Sequence, residues 1–397
     1  MSLFRLSSGS SVFSAKRILV IRHRFIGDTV LLTPFLRNLR AACPNSIIDV
    51  LLAPDSAELL AHCPYINHRI LIDRIDREKR SAENNPPAAS TALASMALGS
   101  MASAPQTLVP ESSDSQALPE HSFWEALKVL KANNYDWAFV LKRSFSSALL
   151  AFLAGIPHRV GFNTEYRRLL LTKPVAYYGN GHANTRHERD AFLSVLEAVG
   201  ISVKDKHLEF WVRPENTQKA LQTLASGITG KSLTRIVVHL TSSNPAKQWP
   251  EEHALNLLER LLSFHHVVVH CLGAASDTEG YSRLGSKLSM AAQNRFYNHC
   301  GTFSLNDSMA FLQQMDLVIG VDSGPLHMAA AVGVKTIALF GPMNPVQWAP
   351  VEAVVLQTKE TLDCQPCNLK VPCHREYACM QSLLPDEIMA EVKQHFK

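Results

Sequence analysis

Two α/β domains, each built on a doubly wound parallel sheet and facing a common cleft, are predicted by three features of this sequence. The chain has 397 residues, which suits two domains of roughly 150–200 residues better than one core. Hydrophobic residues make up 46% and charged residues 19%, the balance of a packed globular protein. Short β-branched runs alternate with stretches of helical periodicity in two series, and such alternation builds parallel sheets covered on both faces.

Residues 1–16 read as an N-terminal tail. They are Ser-rich, carry only Arg5 and Lys16 as cations, and hold no continuous apolar block, so they do not read as a secretory signal. RILVI at 17–21 predicts the first strand. Val30, Leu31, Pro34, Phe35 and Leu39 recur at helical spacing and predict a helix over 29–42. Strands follow at 47–52, 69–72, 137–141 and 159–162, with a helix over 123–132. From 81 to 120 the chain is rich in Ala, Ser and Pro and poor in large apolar residues, so burial cannot offset the entropy of ordering. This stretch is predicted to be a flexible insertion, with room for a short helix over 88–101. The second series places strands at 235–240, 266–271, 317–321 and 335–340, and helices at 251–264, 279–294, 306–315 and 325–332. The domains are therefore expected over 17–210 and 215–383, and a C-terminal helix over 384–397 could return to the first.

Several function classes are disfavoured. The net charge is +4 and no dense Lys/Arg run occurs, which speaks against a nucleic-acid partner. No apolar run approaches the roughly 18–20 residues that span a bilayer. The expected location is the cytoplasm, where thiols stay reduced. Cys43, Cys63, Cys271 and Cys300 are scattered and read as small core residues. Cys364, Cys367, Cys373 and Cys379 cluster beside His374 and fit either a structural metal site or a reduced turn that orders the tail. No metal is assigned on this pattern.

Ligands in doubly wound sheets bind beyond the C-terminal ends of the strands, so three loops carry the functional reading. In the first, Arg22 to Gly27 lead into Asp28 ahead of the predicted helix. Asp28 reads either as a helix N-cap or as a general base for an acceptor hydroxyl, and Arg22 reads either as solvated surface or as a ligand for an anionic acceptor. The second, TSSNPAKQWP from Thr241, offers hydroxyls and the Lys247 ammonium, which suit a diphosphate, although any polar connection has a similar composition. The third runs GVDSGPLHMAAA from Gly320. Its strand enters a Gly-Pro helix start whose unpaired N–H groups, with Asp322, Ser323 and His327 alongside, suit a phosphate or leaving group better than a cap alone.

Three segments, ILVIRHRFIGDTVLLTPFLRNLRAACP, HLTSSNPAKQWPEEH and CGTFSLNDSMAFLQQMDLVIGVDSGPLHMAAAVGVKTIALFGPMNP, resemble the ADP-heptose:lipopolysaccharide heptosyltransferase family. The resemblance covers most of the chain apart from the tail and the 81–120 insertion. It implies a GT-B fold and a metal-independent, inverting glycosyltransferase that takes an ADP-sugar donor and requires no cofactor. By that resemblance Asp28 is the base, while Thr241, Ser242, Lys247, Asp322, Ser323, Gly324 and His327 hold the donor diphosphate and sugar. Thr302 and Phe303 match the adenine loop, and Glu279, or Asp277 beside it, matches the ribose contact. Arg143, Arg159 and Arg168 lie where relatives face the acceptor, an anionic lipopolysaccharide precursor at the inner membrane, and a monomer is expected. Ser242 and Ser243 stand where the family often has Thr and Arg, and an extra residue precedes Lys247, so another nucleotide-sugar donor is the alternative. A binding or assembly protein that kept the fold is a second alternative. An oxidoreductase is disfavoured because the first loop has one glycine where a dinucleotide fingerprint needs three.

Overall fold

In the computed structural model, residues 11–22, 25–72, 120–164, 166–177, 186–228 and 233–395 are described. Almost all of the 81–120 insertion, with the short helix anticipated within it, lies outside them. The first sheet comprises β1 (Arg17–Ile21), β2 (Ile47–Leu52), β3 (His68–Ile72), β4 (Glu120–His121), β5 (Trp137–Val140), β6 (His158–Phe162) and β7 (Lys173–Val175). Its spatial order is β4-β3-β2-β1-β5-β6-β7, and neighbours from β4 through β6 pair in parallel. Ile18, Leu19, Val20 and Ile21 are fully buried, which explains why β1 reads as an unbroken apolar run. Strand order reverses between β1 and β5, so the loop after β1 opens at a topological switch point. The tail expectation is corrected at its C-terminal end. Val12 and Ala15 are buried, Cys43 Sγ–H donates to the Val12 carbonyl (3.4 Å), and Ser46 Oγ donates to that of Ala15 (2.6 Å).

The helix expected over 29–42 is instead two, α1 (Ile26–Val30) and α2 (Thr33–Ala42). Pro34 has no N–H to give the Val30 carbonyl, which accepts from Thr33 Oγ1 instead (3.1 Å), so the ladder breaks there. Further along, α3 (Phe123–Asn133) starts in a capping box of Ser122 and Glu125, and α4 (Phe145–Leu153) follows β5.

The second sheet comprises β8 (Thr234–His239), β9 (Val267–Cys271), β10 (Phe296–Asn298), β11 (Leu317–Val321), β12 (Thr336–Leu339) and β13 (Val354–Leu356). All its pairs are parallel, in the order β10-β9-β8-β11-β12-β13. Its helices are α5 (Glu188–Glu197), α6 (Pro214–Ala225), α7 (Glu251–Leu262), α8 (Thr278–Lys287), α9 (Leu305–Leu312), α10 (Gly324–Ala331) and α11 (Pro385–His395). The helix expected over 279–294 is instead two segments, α8 and a short turn of helix at Met290–Gln293, parted where the Ser289 hydroxyl and N–H are taken by the Glu259 carboxylate. The C-terminal helix α11 packs on α7, burying Ile388, Met389 and Val392 with Leu257, Leu258 and Leu261.

Two compact units interleave along the chain: Met1–Arg24, Cys43–Ala57 and Pro64–Pro174 form one, and Phe25–Ala42, Glu58–Cys63 and Val175–Lys397 form the other. This division differs from a single boundary near 210–215 for physical reasons. Helix α1 packs on α10, α2 packs on α5, and the turn Glu58–Leu60 packs on α9. Both fold units are α/β with parallel sheets, as the sequence predicts.

The second unit holds two stacked imidazoles, His270 buried and His299 half-buried. Burial, and secondarily the charge of His299, pushes His270 down to about 3, and burial pushes His299 down to about 4. The unfolded chain binds a proton at each near pH 6.5 while the folded chain does not, so their contribution is complete above pH 6.5 and is lost as pH falls toward 4. At pH 5 each is expected to cost on the order of 2 kcal/mol relative to pH 7. Thermal melts from pH 7 to 5 should show a falling Tm, less steep in His270→Phe; a flat profile would contradict this assignment.

Candidate functional site

At the switch point of the second sheet, β8 and β11 are neighbours and their following loops diverge. After β8, Asn244 Oδ1 accepts from Ala246 N–H (3.0 Å) and starts a 3-10 turn, Pro245–Lys247. This turn places Lys247 against Asp322, the residue after β11. Lys247 Nζ lies 2.6 Å from Asp322 Oδ2, both groups largely shielded from solvent. Ser242 Oγ accepts from Asn244 N–H (3.2 Å) and steadies the same loop. Thr241 lies beside Tyr281, whose hydroxyl accepts from Leu240 N–H (2.6 Å).

Ser323 occupies the N-cap position of α10 but makes no capping bond, and its buried hydroxyl has no protein partner. The first-turn N–H groups of α10 and this hydroxyl therefore stand together at a positive helix end. One turn on, His327 is 5% exposed and its Nδ1 also lacks a protein partner. Buried polar atoms without partners cost free energy, and two of them group here at the start of α10, which makes this the candidate site.

Helix α1 packs against this end of α10. A Cβ on Gly27 would lie 2.8 Å from His327 Cδ2, and one on Gly324 would lie 3.0 Å from Ile26 Cγ2. Glycine is needed at both positions for close approach. Gly27→Ala is expected to destabilise the fold by about 1–3 kcal/mol through overpacking, measurable by urea unfolding; an unchanged midpoint would mean that α1 is not held against α10. Asp28, the next residue, is 5% exposed and sits in the first turn of α1, where Phe25 holds the N-cap position. The reading of Asp28 as an N-cap is thereby corrected.

His327 collects the electrostatics of the site. Burial pushes it down to about 4, opposed by the charges of Asp322 and Asp28 and reinforced by His187 and Lys247. At neutral pH its ring is thus uncharged and offers one N–H and one acceptor. Sequence reasoning missed His187. It caps α5, accepting from Arg189 N–H at Nδ1 (3.2 Å) and donating from Nε2 to the Ala349 carbonyl (2.8 Å). It also missed Glu58, whose carboxylate accepts from Leu305 N–H (3.0 Å) and Asn306 N–H (2.9 Å) and so fixes the start of α9.

The loop before α9 holds Thr302, which is exposed, and Phe303, whose ring lies 4.9 Å from Phe311 and 5.5 Å from His299. Glu279 is exposed in the first turn of α8, whereas Asp277 is occupied in accepting from Ala274 N–H (2.8 Å). The three predicted acceptor arginines lie on the first unit. Arg22 is buried after β1, Arg143 is partly exposed after β5, and Arg159 donates from Nε to the Leu170 carbonyl (2.6 Å) and from Nη1 to the Ile156 carbonyl, clamping its own turn. Arg168 is exposed, while its neighbour Arg167 is fully buried. Cys364, Cys367, Cys373 and Cys379 line one cavity of their own. Among the described residues no three His, Cys, Asp or Glu side chains are grouped as a metal site.

A family profile described as glycosyltransferase family 9 (heptosyltransferase) matches residues 123–377. Lipopolysaccharide heptosyltransferase 2 of Salmonella typhimurium is 27% identical over 332 residues, 83% of this chain and 84% of that one. Among solved structures, a family 9 glycosyl transferase from Veillonella parvula superposes with a TM-score of 0.75 at 21% identity, covering 98% of both chains. The ADP-heptose heptosyltransferase II of Escherichia coli superposes at 0.67 with 21% identity, covering 96% of this chain and 98% of that one.

Proposed function

The chain belongs to glycosyltransferase family 9, and from that premise we propose that it is an inverting transferase moving heptose from ADP-heptose onto a lipopolysaccharide-core acceptor. The observation that carries this reading is the set of partnerless buried groups, Ser323 Oγ and His327 Nδ1, standing with Lys247 at the N-terminus of α10 beside Asp28.

In the proposed reaction an acceptor hydroxyl oxygen attacks the anomeric carbon as the bond from that carbon to the diphosphate oxygen breaks. Asp28 takes the hydroxyl proton, and the electron pair leaves with ADP. Negative charge then grows on the diphosphate, where Lys247, the α10 N–H groups and the hydroxyls of Thr241, Ser242 and Ser323 stabilise it. Asp322 holds Lys247 in place. Gly324 offers the donor its backbone N–H at the first position of α10, and neutral His327 contributes a hydrogen bond without adding charge. No metal or other cofactor enters this scheme. Thr302, Phe303 and Glu279 are proposed to receive the nucleoside, and Arg22 and Arg143 the anionic acceptor. Arg159 supports its turn and has fewer donors to offer.

The alternative is a different nucleotide-sugar donor. Thermal unfolding with ADP-, UDP- and GDP-sugars separates the two, since ligand at 100 times its Kd adds about 2.7 kcal/mol. Stabilisation by the ADP-sugars alone is expected; preference for UDP- or GDP-sugars would overturn the donor assignment.

A further inference from the structure

One face of the first unit, distant in function from the donor groups, exposes apolar side chains to water. Phe145 and Phe152 are seven residues apart, hence on one side of α4, and are 46% and 45% exposed. In the turn after β6, Tyr166 is 94% and Leu169 is 86% exposed. This turn is firmly held. Between the two, Arg167 is fully buried and donates to the carbonyls of Phe162 (2.6 Å) and Lys142 and to Thr164 Oγ1 (3.0 Å). Anchoring Arg167 inward presents its neighbours outward.

Tyr166 also adopts left-handed backbone, φ 59°. Glycine or asparagine would take that conformation at lower cost, and a side chain so exposed gains little from packing, so the fold alone does not ask for tyrosine here. Exposed apolar groups of this kind mark interaction surfaces. The surrounding charge indicates the partner. Of the six cations between residues 141 and 175, Lys142 and Arg167 are buried and Arg159 is bound to its own turn, which leaves Arg143, Arg168 and Lys173 to face water against Glu165 as the single acid of that stretch. Arg168 and Lys173 are exposed, and the Arg159 guanidinium lies 5.3 Å from the Phe152 ring centroid. Projecting aromatic and aliphatic tips among cations suit a lipid interface, which offers apolar depth and anionic headgroups without a shape to match.

We propose that this face seats the protein on the surface of an anionic bilayer. Tyr166, Leu169 and Phe152 enter the headgroup layer, and Arg168 and Lys173 meet lipid phosphates. The inference stands on exposure and charge and does not rest on the sugar-transfer reading.

The full chain is to be sedimented with phosphatidylglycerol-containing vesicles and, separately, with pure phosphatidylcholine vesicles. The wild type should bind the anionic vesicles preferentially and be released by salt. The double variant Tyr166→Ser, Leu169→Ser should lower partitioning by about tenfold or more, and Arg168→Gln, Lys173→Gln should remove the preference for anionic lipid. Equal sedimentation of wild type and the serine variant, or none of the wild type with anionic vesicles, would overturn the proposal. Should the serine variant fold poorly, Tyr166→Trp provides a second reading: its fluorescence should shift to the blue on adding vesicles and be quenched by brominated lipid, and an unchanged spectrum would also overturn the proposal. Retained binding of ADP in these variants keeps the outcome separate from the donor site.

Discussion

Asp28→Asn is expected to lower kcat for sugar transfer on the order of 10³-fold, the range lost with a positioned general base, while the Kd for ADP stays within about threefold of wild type. Asp28 lies in the first turn of α1, 5% exposed, next to the glycine that lets α1 contact His327. The amide has nearly the shape of the carboxylate, so packing is preserved while the capacity to accept a proton is lost. Steady-state kinetics with ADP-heptose and a lipopolysaccharide-core acceptor, together with calorimetry on ADP, separate the two quantities. A variant that keeps kcat within tenfold of wild type would remove Asp28 from the base role. Loss of ADP binding would instead give it a part in the donor pocket.

Lys247→Met should affect both chemistry and stability, and a second substitution divides them. Removing a group that stabilises the charge of a leaving diphosphate is expected to cost about 10²–10³-fold in transfer. It also leaves the Asp322 carboxylate, whose side chain is 11% exposed, without the ammonium now 2.6 Å away, a loss of roughly 2 kcal/mol after discounting for the partial exposure of both groups. In Lys247→Met combined with Asp322→Asn, no unpaired carboxylate remains, so much of the stability should return while transfer stays low. Recovery of transfer with stability would show that Lys247 serves the fold alone.

The parts of this architecture legible in the sequence are those set by local chemistry. LVIGV followed by Asp-Ser-Gly-Pro contains a buried strand, a close-approach glycine and a helix start in one run, and β11 and α10 form there. The loop holding Lys247 could be read as following a buried strand, but its place at the switch point depends on β8 neighbouring β11, which no local pattern shows. What the sequence obscured depends on tertiary packing. His187 sits in His-Glu-Arg-Asp, which reads simply as a polar helix start, and its proximity to His327 arises only when α5 and α10 fold into one unit. Arg167 and Arg168 are adjacent cations of equal propensity, and only the carbonyls of Phe162 and Lys142 determine which turns inward. Pro34 gave the break between α1 and α2 a local cause, but helical periodicity ran through it; separately, α1 starts at Ile26 behind an N-cap, Phe25, that makes no side-chain bond to signal it, so Asp28 lies inside a helix rather than before one.

The most direct test is a crystal structure with ADP bound. The account predicts the diphosphate within hydrogen-bonding distance of Lys247 Nζ, Ser323 Oγ and the first N–H groups of α10, with its outer phosphate directed toward Asp28. A diphosphate bound elsewhere, with Ser323 and His327 still lacking partners, would contradict it.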